Sequence, residues 1–320
     1  MAEGRSERNA ERDDDADTDR PRRRASLEES AKAAAARLEE IHQYLSDLYA
    51  RREVIAQTVT RGGIQLDWIP VESQLSGERP AEPPSENIPF EPVAGERRER
   101  PVQFELEREG AELGPPGTVP AVRLPIELIA PTVALNDWLA KGRHANRVGL
   151  PADAREIVPP TESGDHKYAA TAQVVTCYGT DGYINAWDPY VFRSDEFSLG
   201  QLLLTRGSGT DHQTIEVGCQ EYRDIYGDWV PHLFVFYTTN NYTKFGKGLG
   251  GYNQNVEGWV QVADTIHPGA SITPLSRFDA EQFVLPLKVQ LWKGNWWVRV
   301  NGVWIGYYPA ELFSTAGLRS

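Results

Sequence analysis

The chain has 320 residues and is 40% hydrophobic, with 9 Trp, 13 Tyr and 10 Phe, which is enough apolar material for a substantial core. Its 33 Lys and Arg face 46 Asp and Glu, a formal net charge of −13, so phosphate would be repelled and no nucleic-acid partner is expected. No apolar run approaches the ~20 residues of a membrane span, and the N-terminus has no apolar segment of the secretory kind. The expectation is therefore no membrane partner, and a cytoplasmic protein or one otherwise lacking a secretory signal.

Residues 1–25 are charged and almost free of large apolar side chains, Asp13, Asp14, Asp15, Asp17 and Asp19 balancing Arg22, Arg23 and Arg24; a disordered tail is expected. Residues 26–62 read as one long amphipathic or coiled-coil helix. It opens on a capping box, Ser26 with Glu29, and closes on Gly62 and Gly63. Leu27, Ala31, Ala34, Leu38, Ile41, Leu45, Leu48, Arg52 and Ile55 follow three-four spacing, a stripe suited to self-association through residues 27–60 or to docking on the chain's own domain. Residues 63–131 are dense in proline and charge, a linker with one strand expected at "VQFELE". Residues 132–164 connect, with a short helical turn at "ALNDWLAKG".

From residue 165 to 320, short aromatic and β-branched runs alternate with Gly, Asn, Asp and Pro, and seven of the nine tryptophans lie here. The pattern predicts a mainly β fold, an antiparallel β-sandwich domain preceded by the single long helix and the Pro-rich linker. Tight turns are expected at Lys293-Gly294-Asn295 and at Asn301-Gly302. Cys177 and Cys219 have no partner at metal-ligand spacing and read as buried free thiols. The six histidines show no metal spacing either, and no phosphate-binding loop is recognisable, so neither a metal nor a cofactor is expected. The sequon Asn241-Tyr242-Thr243 matters only if the chain is secreted.

Within "TIEVGCQEY", residues 214–222, Ile215, Val217 and Cys219 alternate with Thr214, Glu216, Gly218 and Gln220. One face should pack on a core and the other should look into solvent or a polar groove, carrying Glu216 with it. A solvated glutamate would satisfy this pattern as well as a catalytic one.

The ordered motifs "HKYA" at 166, "YINAWDPYV" at 183, "EFSLGQ" at 196, "TIEVG" at 214, "YGD" at 226, "GYNQNVEGWVQ" at 251, "GASITPLS" at 269, "NWW" at 295 and "GYYPAELF" at 306 resemble the neprosin family. "GTVPAVR" at 117 resembles the segment preceding that family's domain. The resemblance implies a β-sandwich of the glutamic-peptidase type, cleaving beside proline with two glutamates at the floor of a cleft. Glu216 falls on the first of them and is the candidate catalytic residue. The resemblance places the family's second glutamate beyond the "GYYPAELF" motif, and with the sequence running only to Ser320 no counterpart is expected within it. Cys219 stands where the family has Trp, and Gly251 and Val256 stand where the family has a disulfide.

Two readings follow. In the first the chain is a glutamic endopeptidase using Glu216 with a substitute acid, for which Glu105, Glu196, Glu221 and Glu257 are candidates; by alternation Glu221 points opposite to Glu216. One carboxyl must activate water while the other stays protonated. In the second the sandwich is a non-catalytic peptide- or glycan-binding module, with Trp187, Tyr190, Trp229, Tyr242 and Tyr252 as exposed aromatics. Proline-containing peptides are the expected partners in the peptidase reading, and hydrolysis by this chain alone is expected to be poor or absent.

Overall fold

A computed structural model describes residues 15–75, 78–85, 100–125, 134–141, 167–194 and 196–319, with side chains in the first helix from residue 28 onward. The first helix, α1, spans Asp15–Ala50. It starts earlier than the capping box implied, so residues 15–25 are helical and not a disordered tail; residues 1–14 lie outside the described part. The C-terminal half of α1 docks on the chain's own core: Ile41 and Leu45 are fully buried and Tyr49 nearly so, with Tyr44 and Leu48 packed alongside.

α1 also ends earlier than the stripe predicted. Beyond Ala50 the β-branched run of Val54, Ile55, Thr58, Val59 and Thr60 favours extended backbone. Strand β1, Ala56–Val59, pairs antiparallel with β2, Gln65–Pro70, across a turn in which Gly63 takes a φ of 86°. Arg52, taken for a stripe residue, reaches from beyond the helix end to Asp67 on β2, its Nη1 lying 3.1 Å from Oδ2.

The segment 63–131 is thus not wholly a linker. β2 pairs on its other side with β4, Thr118–Arg123, giving a three-stranded sheet in the order β1-β2-β4. Pro120 is tolerated because β4 is an edge strand. The strand expected at "VQFELE" lies two residues upstream as β3, Arg100–Pro101, and Glu105–Glu107 forms a 3₁₀ turn. Asp67 is fully buried and bonded by Arg123 Nε at 2.9 Å, Arg52 and Gln57, and both guanidinium groups sit 4.6 Å from the Tyr49 ring centroid. This network fastens the small sheet to the end of α1.

A short helix α2, Leu135–Leu139, precedes the sandwich. The sandwich strands are β5 Gly179–Asn185, β6 Ser198–Arg206, β7 Gln213–Glu221, β8 His232–Thr238, β9 Gly250–Tyr252, β10 Val260–Gln261, β11 Phe283–Trp292, β12 Asn295–Val300 and β13 Val303–Pro309, with one helical turn, α3, at Arg223–Tyr226. The expected mainly β fold is present. One sheet runs β10-β13-β12-β11-β3, with β5 also on β11, and the other runs β6-β7-β8-β9. All pairings are antiparallel except β3 with β11. The two-residue turns fall at Lys293-Gly294 and Asn301-Gly302, all four residues at positive φ. Ile215, Val217, Leu285, Leu287, Val289, Val298 and Ile305 fill the space between the sheets.

Gly251 and Val256, the positions where the resembled family bears a disulfide, face each other: a Cβ at Gly251 would lie 2.6 Å from Val256 Cγ1. The valine methyls occupy the space that a bridge would take. Cys219 is buried as expected, its thiol pushed up to about 11 chiefly by burial, whereas Cys177 is exposed, contrary to expectation.

Candidate functional site

The alternation in β7 holds: Glu216, in register with Leu203 on β6 and Phe236 on β8, points away from the face of Ile215 and Val217. The expected open face does not follow. Every residue of β7 is buried, and Glu216 is only 1% exposed. The second face is closed by α2, remote in sequence, where Trp138 and Leu139 are buried and from whose end Lys141 reaches Glu216. Trp138 Nε1 donates to Asp224 O at 3.1 Å, which fixes α2 over this sheet.

Burying a carboxylate requires donors, and Glu216 has three. Tyr242 Oη donates to Oε1 at 2.7 Å and Thr214 Oγ1 to the same oxygen at 2.8 Å. The other oxygen, Oε2, accepts from the ammonium of Lys141, just beyond α2. Lys141 also donates to Gln201 Oε1 at 2.5 Å on β6 and lies 5.4 Å from the Phe234 ring centroid. Its side chain is 12% exposed, and burial lowers its pKa while Glu216 opposes that shift. The pair is neutral as a unit.

Tyr242 reaches Glu216 because Asn241 and Tyr242 both adopt positive φ, 57° and 58°, in the turn after β8. Two consecutive non-glycine residues there are held by surrounding bonds: Tyr242 N–H donates to Thr238 Oγ1 at 3.1 Å, and the ring stacks on Phe236 at 5.9 Å. Burial and the neighbouring Glu216 keep the phenol well above its ordinary pKa, so Tyr242 serves as a proton donor. His212, whose pKa burial lowers, lies beside it with Nε2 2.6 Å from Thr205 Oγ1.

A groove of about 2570 Å³ opens above this cluster. Its floor includes Glu216, Lys141, Tyr242 and His212; one wall is the segment from Lys167 to Asp181 and the other runs along β6 from Glu196 to Gly207. β6 is the terminal strand of its sheet, so among the described residues its outer edge has no strand partner. Val174, Val175 and Tyr178 are exposed on the facing wall and Tyr190 at the rim, at 87%.

None of the four candidate second acids bonds to Glu216. Glu105 accepts Gly62 N–H at 3.1 Å, and Glu257 bridges Arg51 and Lys247, each at 2.5 Å. Glu196 lines the groove but accepts Arg193 N–H at 3.0 Å. Glu221 points to the opposite face, 4% exposed, with Oε2 unbonded among the described residues; burial first, then Asp188 and Asp228, push its pKa up to about 7. Of the aromatics expected on the surface, Tyr190 and Trp229 are exposed and Trp187 is half-buried, while Tyr242 and Tyr252 are buried around Glu216. His166 lies outside the described residues. Lys141 was legible only as part of the helical turn "ALNDWLAKG", with nothing in the sequence to link it to Glu216, 75 positions away. Tyr242 was visible in the sequence as the middle of a sequon and as one of the aromatics expected on the surface, not as a partner of Glu216.

In this arrangement both oxygens of Glu216 are engaged, one by an ammonium and one by two hydroxyls. A general base needs a free lone pair within hydrogen-bond reach of water, and here Tyr242 and Thr214 take Oε1 while Lys141 takes one side of Oε2. What the cluster offers an incoming ligand is a dipolar pair at the bottom of a long, partly apolar groove.

Residues 194–319 match the family model Neprosin, in agreement with the motif resemblance. The matched segment is similar to a neprosin domain. It contains Glu216, Tyr242 and all of β6, while Lys141 and the wall from Lys167 to Asp181 precede it.

Proposed function

We propose that this chain binds extended, proline-containing peptides in the groove floored by Glu216 and, with Lys141 on Glu216, holds them without hydrolysing them. The observation carrying this reading is the ion pair itself: the carboxylate that would activate water is held by a buried ammonium on one oxygen and by two hydroxyls on the other. The open edge of β6 supports peptide over other ligands, because a sheet edge offers an alternating row of main-chain donors and acceptors that an extended chain satisfies by adding as a strand. Exposed Tyr178 and Tyr190 suit apolar and prolyl side chains.

A second reading is favoured by the neprosin domain match across Glu216. In it the chain is a glutamic endopeptidase, Lys141 withdraws, and Glu216 activates water while another acid protonates the leaving amine. One experiment separates the two. A library of proline-containing peptides is incubated with the full chain at acidic and neutral pH, products are read by mass spectrometry, and binding is followed by calorimetry. Binding with intact peptides supports the first reading. Cleavage by wild type that Glu216→Gln abolishes supports the second, and neither binding nor cleavage overturns both.

A further inference from the structure

The outer face of the other sheet, away from Glu216, carries an aromatic platform. Val260, Tyr307, Trp297 and Gln290 stand in one row across β10, β13, β12 and β11. Trp297 lies 4.6 Å from the Tyr307 ring and 6.3 Å, edge-on, from Trp304. Trp292 and Trp304 flank the row, with Lys293 5.8 Å from the Trp292 ring and Arg299 5.7 Å from the Trp304 ring. A wall of indoles with a basic rim is more than sheet packing needs.

Part of the proline-rich stretch is seated on this platform. Residues 78–85, "ERPAEPPS", are neither helix nor strand; Ala81 is half-buried and Pro84 buried, while Glu82 and Pro83 face solvent. Inward residues three apart match the three-residue turn of a polyproline II helix. Ala81 packs on the cluster and its N–H donates to Tyr307 Oη at 3.2 Å, and Glu82 lies 3.8 Å from Lys293. The fit is incomplete: the indole N–H groups of Trp297 and Trp304 are buried with no acceptor among the described residues, and Gln290 Oε1 is unpartnered as well. Trp297 is wholly buried, so its donor cannot turn to water.

We infer that this face is a docking site for proline-rich, acidic peptide segments supplied in trans, for which residues 78–85 act as a weak intramolecular occupant. A polyproline II ligand leaves its main-chain carbonyls unpaired and so carries the acceptors that the indoles lack. Aromatic surfaces take such ligands at low entropic cost because the helix is preformed. A tethered occupant competes at an effective concentration on the order of millimolar, so the site reads as closed until that occupant is weakened or outcompeted. The inference concerns a different face from the Glu216 groove and does not rest on the function proposed for it.

The test uses the full chain and a labelled synthetic peptide of residues 78–85, with binding read by fluorescence anisotropy. In one variant Pro80, Pro83 and Pro84 are replaced by glycine, which loosens the tethered segment without touching the sheet. The peptide is expected to bind this variant at least tenfold more tightly than wild type. Adding Trp304→Ala or Trp292→Ala is expected to cost at least tenfold in affinity at unchanged circular dichroism, and a peptide with its prolines replaced by glycine is not expected to bind. Equal affinity for wild type and the loosened chain, or indifference to both tryptophan substitutions, overturns the proposal. So does dimerisation of the loosened chain without peptide uptake, which would make a second copy the occupant.

Discussion

Replacing Lys141 with methionine keeps most of the side-chain volume and removes the ammonium from Glu216. The carboxylate then stays 1% exposed with two hydroxyl donors, those of Tyr242 and Thr214, and no counter-charge. Breaking a buried ion pair from one side costs about 3–5 kcal/mol, because the remaining charge is desolvated and uncompensated. Glu216→Gln strands Lys141 in the same way, against Phe234, Phe236 and Gln201. Neutralising both groups removes both penalties, and exchanging a buried pair for neutral side chains of similar size is often neutral or stabilising. Urea unfolding of wild type, both single variants and the double variant closes a thermodynamic cycle. Each single variant should lose about 3–5 kcal/mol, and the double variant should be more stable than either single one. If Lys141→Met costs less than about 1 kcal/mol, as an exposed pair would, and the two substitutions add, then Lys141 does not rest on Glu216 and the argument against water activation fails.

Glu221 gives a pH signature. Its pKa is pushed up from 4.5 to about 7 by burial and by Asp188 and Asp228, so its contribution to stability is fully present below the ordinary carboxylate value and is lost as pH rises through about 7. A shift of that size corresponds to roughly 3 kcal/mol. Relative to wild type, Glu221→Gln should gain stability progressively between those two pH values in thermal melts, and a constant difference across that range would contradict the assignment. Leu45 is fully buried where α1 meets the sandwich, so Leu45→Ala should cost about 2–5 kcal/mol in chemical unfolding. Leu38 is only half-buried, and Leu38→Ala should cost under about 1 kcal/mol; equal losses would mean that α1 packs along its whole length. Self-association through the exposed part of α1 predicts that Leu38→Asp lowers the mass seen by light scattering, and an unchanged mass would remove that role.

The parts of the fold that were legible in the sequence were those encoded locally. The glycine-containing turns at Lys293-Gly294 and Asn301-Gly302 force two residues each to positive φ, and such turns announce themselves by composition. Alternation in residues 214–222 assigned Glu216 to the correct face because pleating is a property of the strand itself. It did not reveal that this face is covered, since the covering residues, Trp138 and Lys141, come from more than seventy positions away. The three-four stripe ran on to Arg52 and Ile55 although the helix ends at Ala50, because the β-branched run beyond it pairs with β2 and tertiary pairing overrode the periodicity. Proline content concealed the small sheet, whose edge strand accommodates Pro120 without losing a ladder bond.

The most direct measurement of the central claim is a single sample containing the full chain and a proline-containing peptide with a fluorophore at one end and a quencher at the other. Anisotropy reports binding and loss of quenching reports cleavage. With Lys141 paired to Glu216, anisotropy should rise to a stable plateau while quenching persists. Quenching that is lost at a rate proportional to the amount of chain, and retained with Glu216→Gln, would contradict the account by showing that Glu216 activates water.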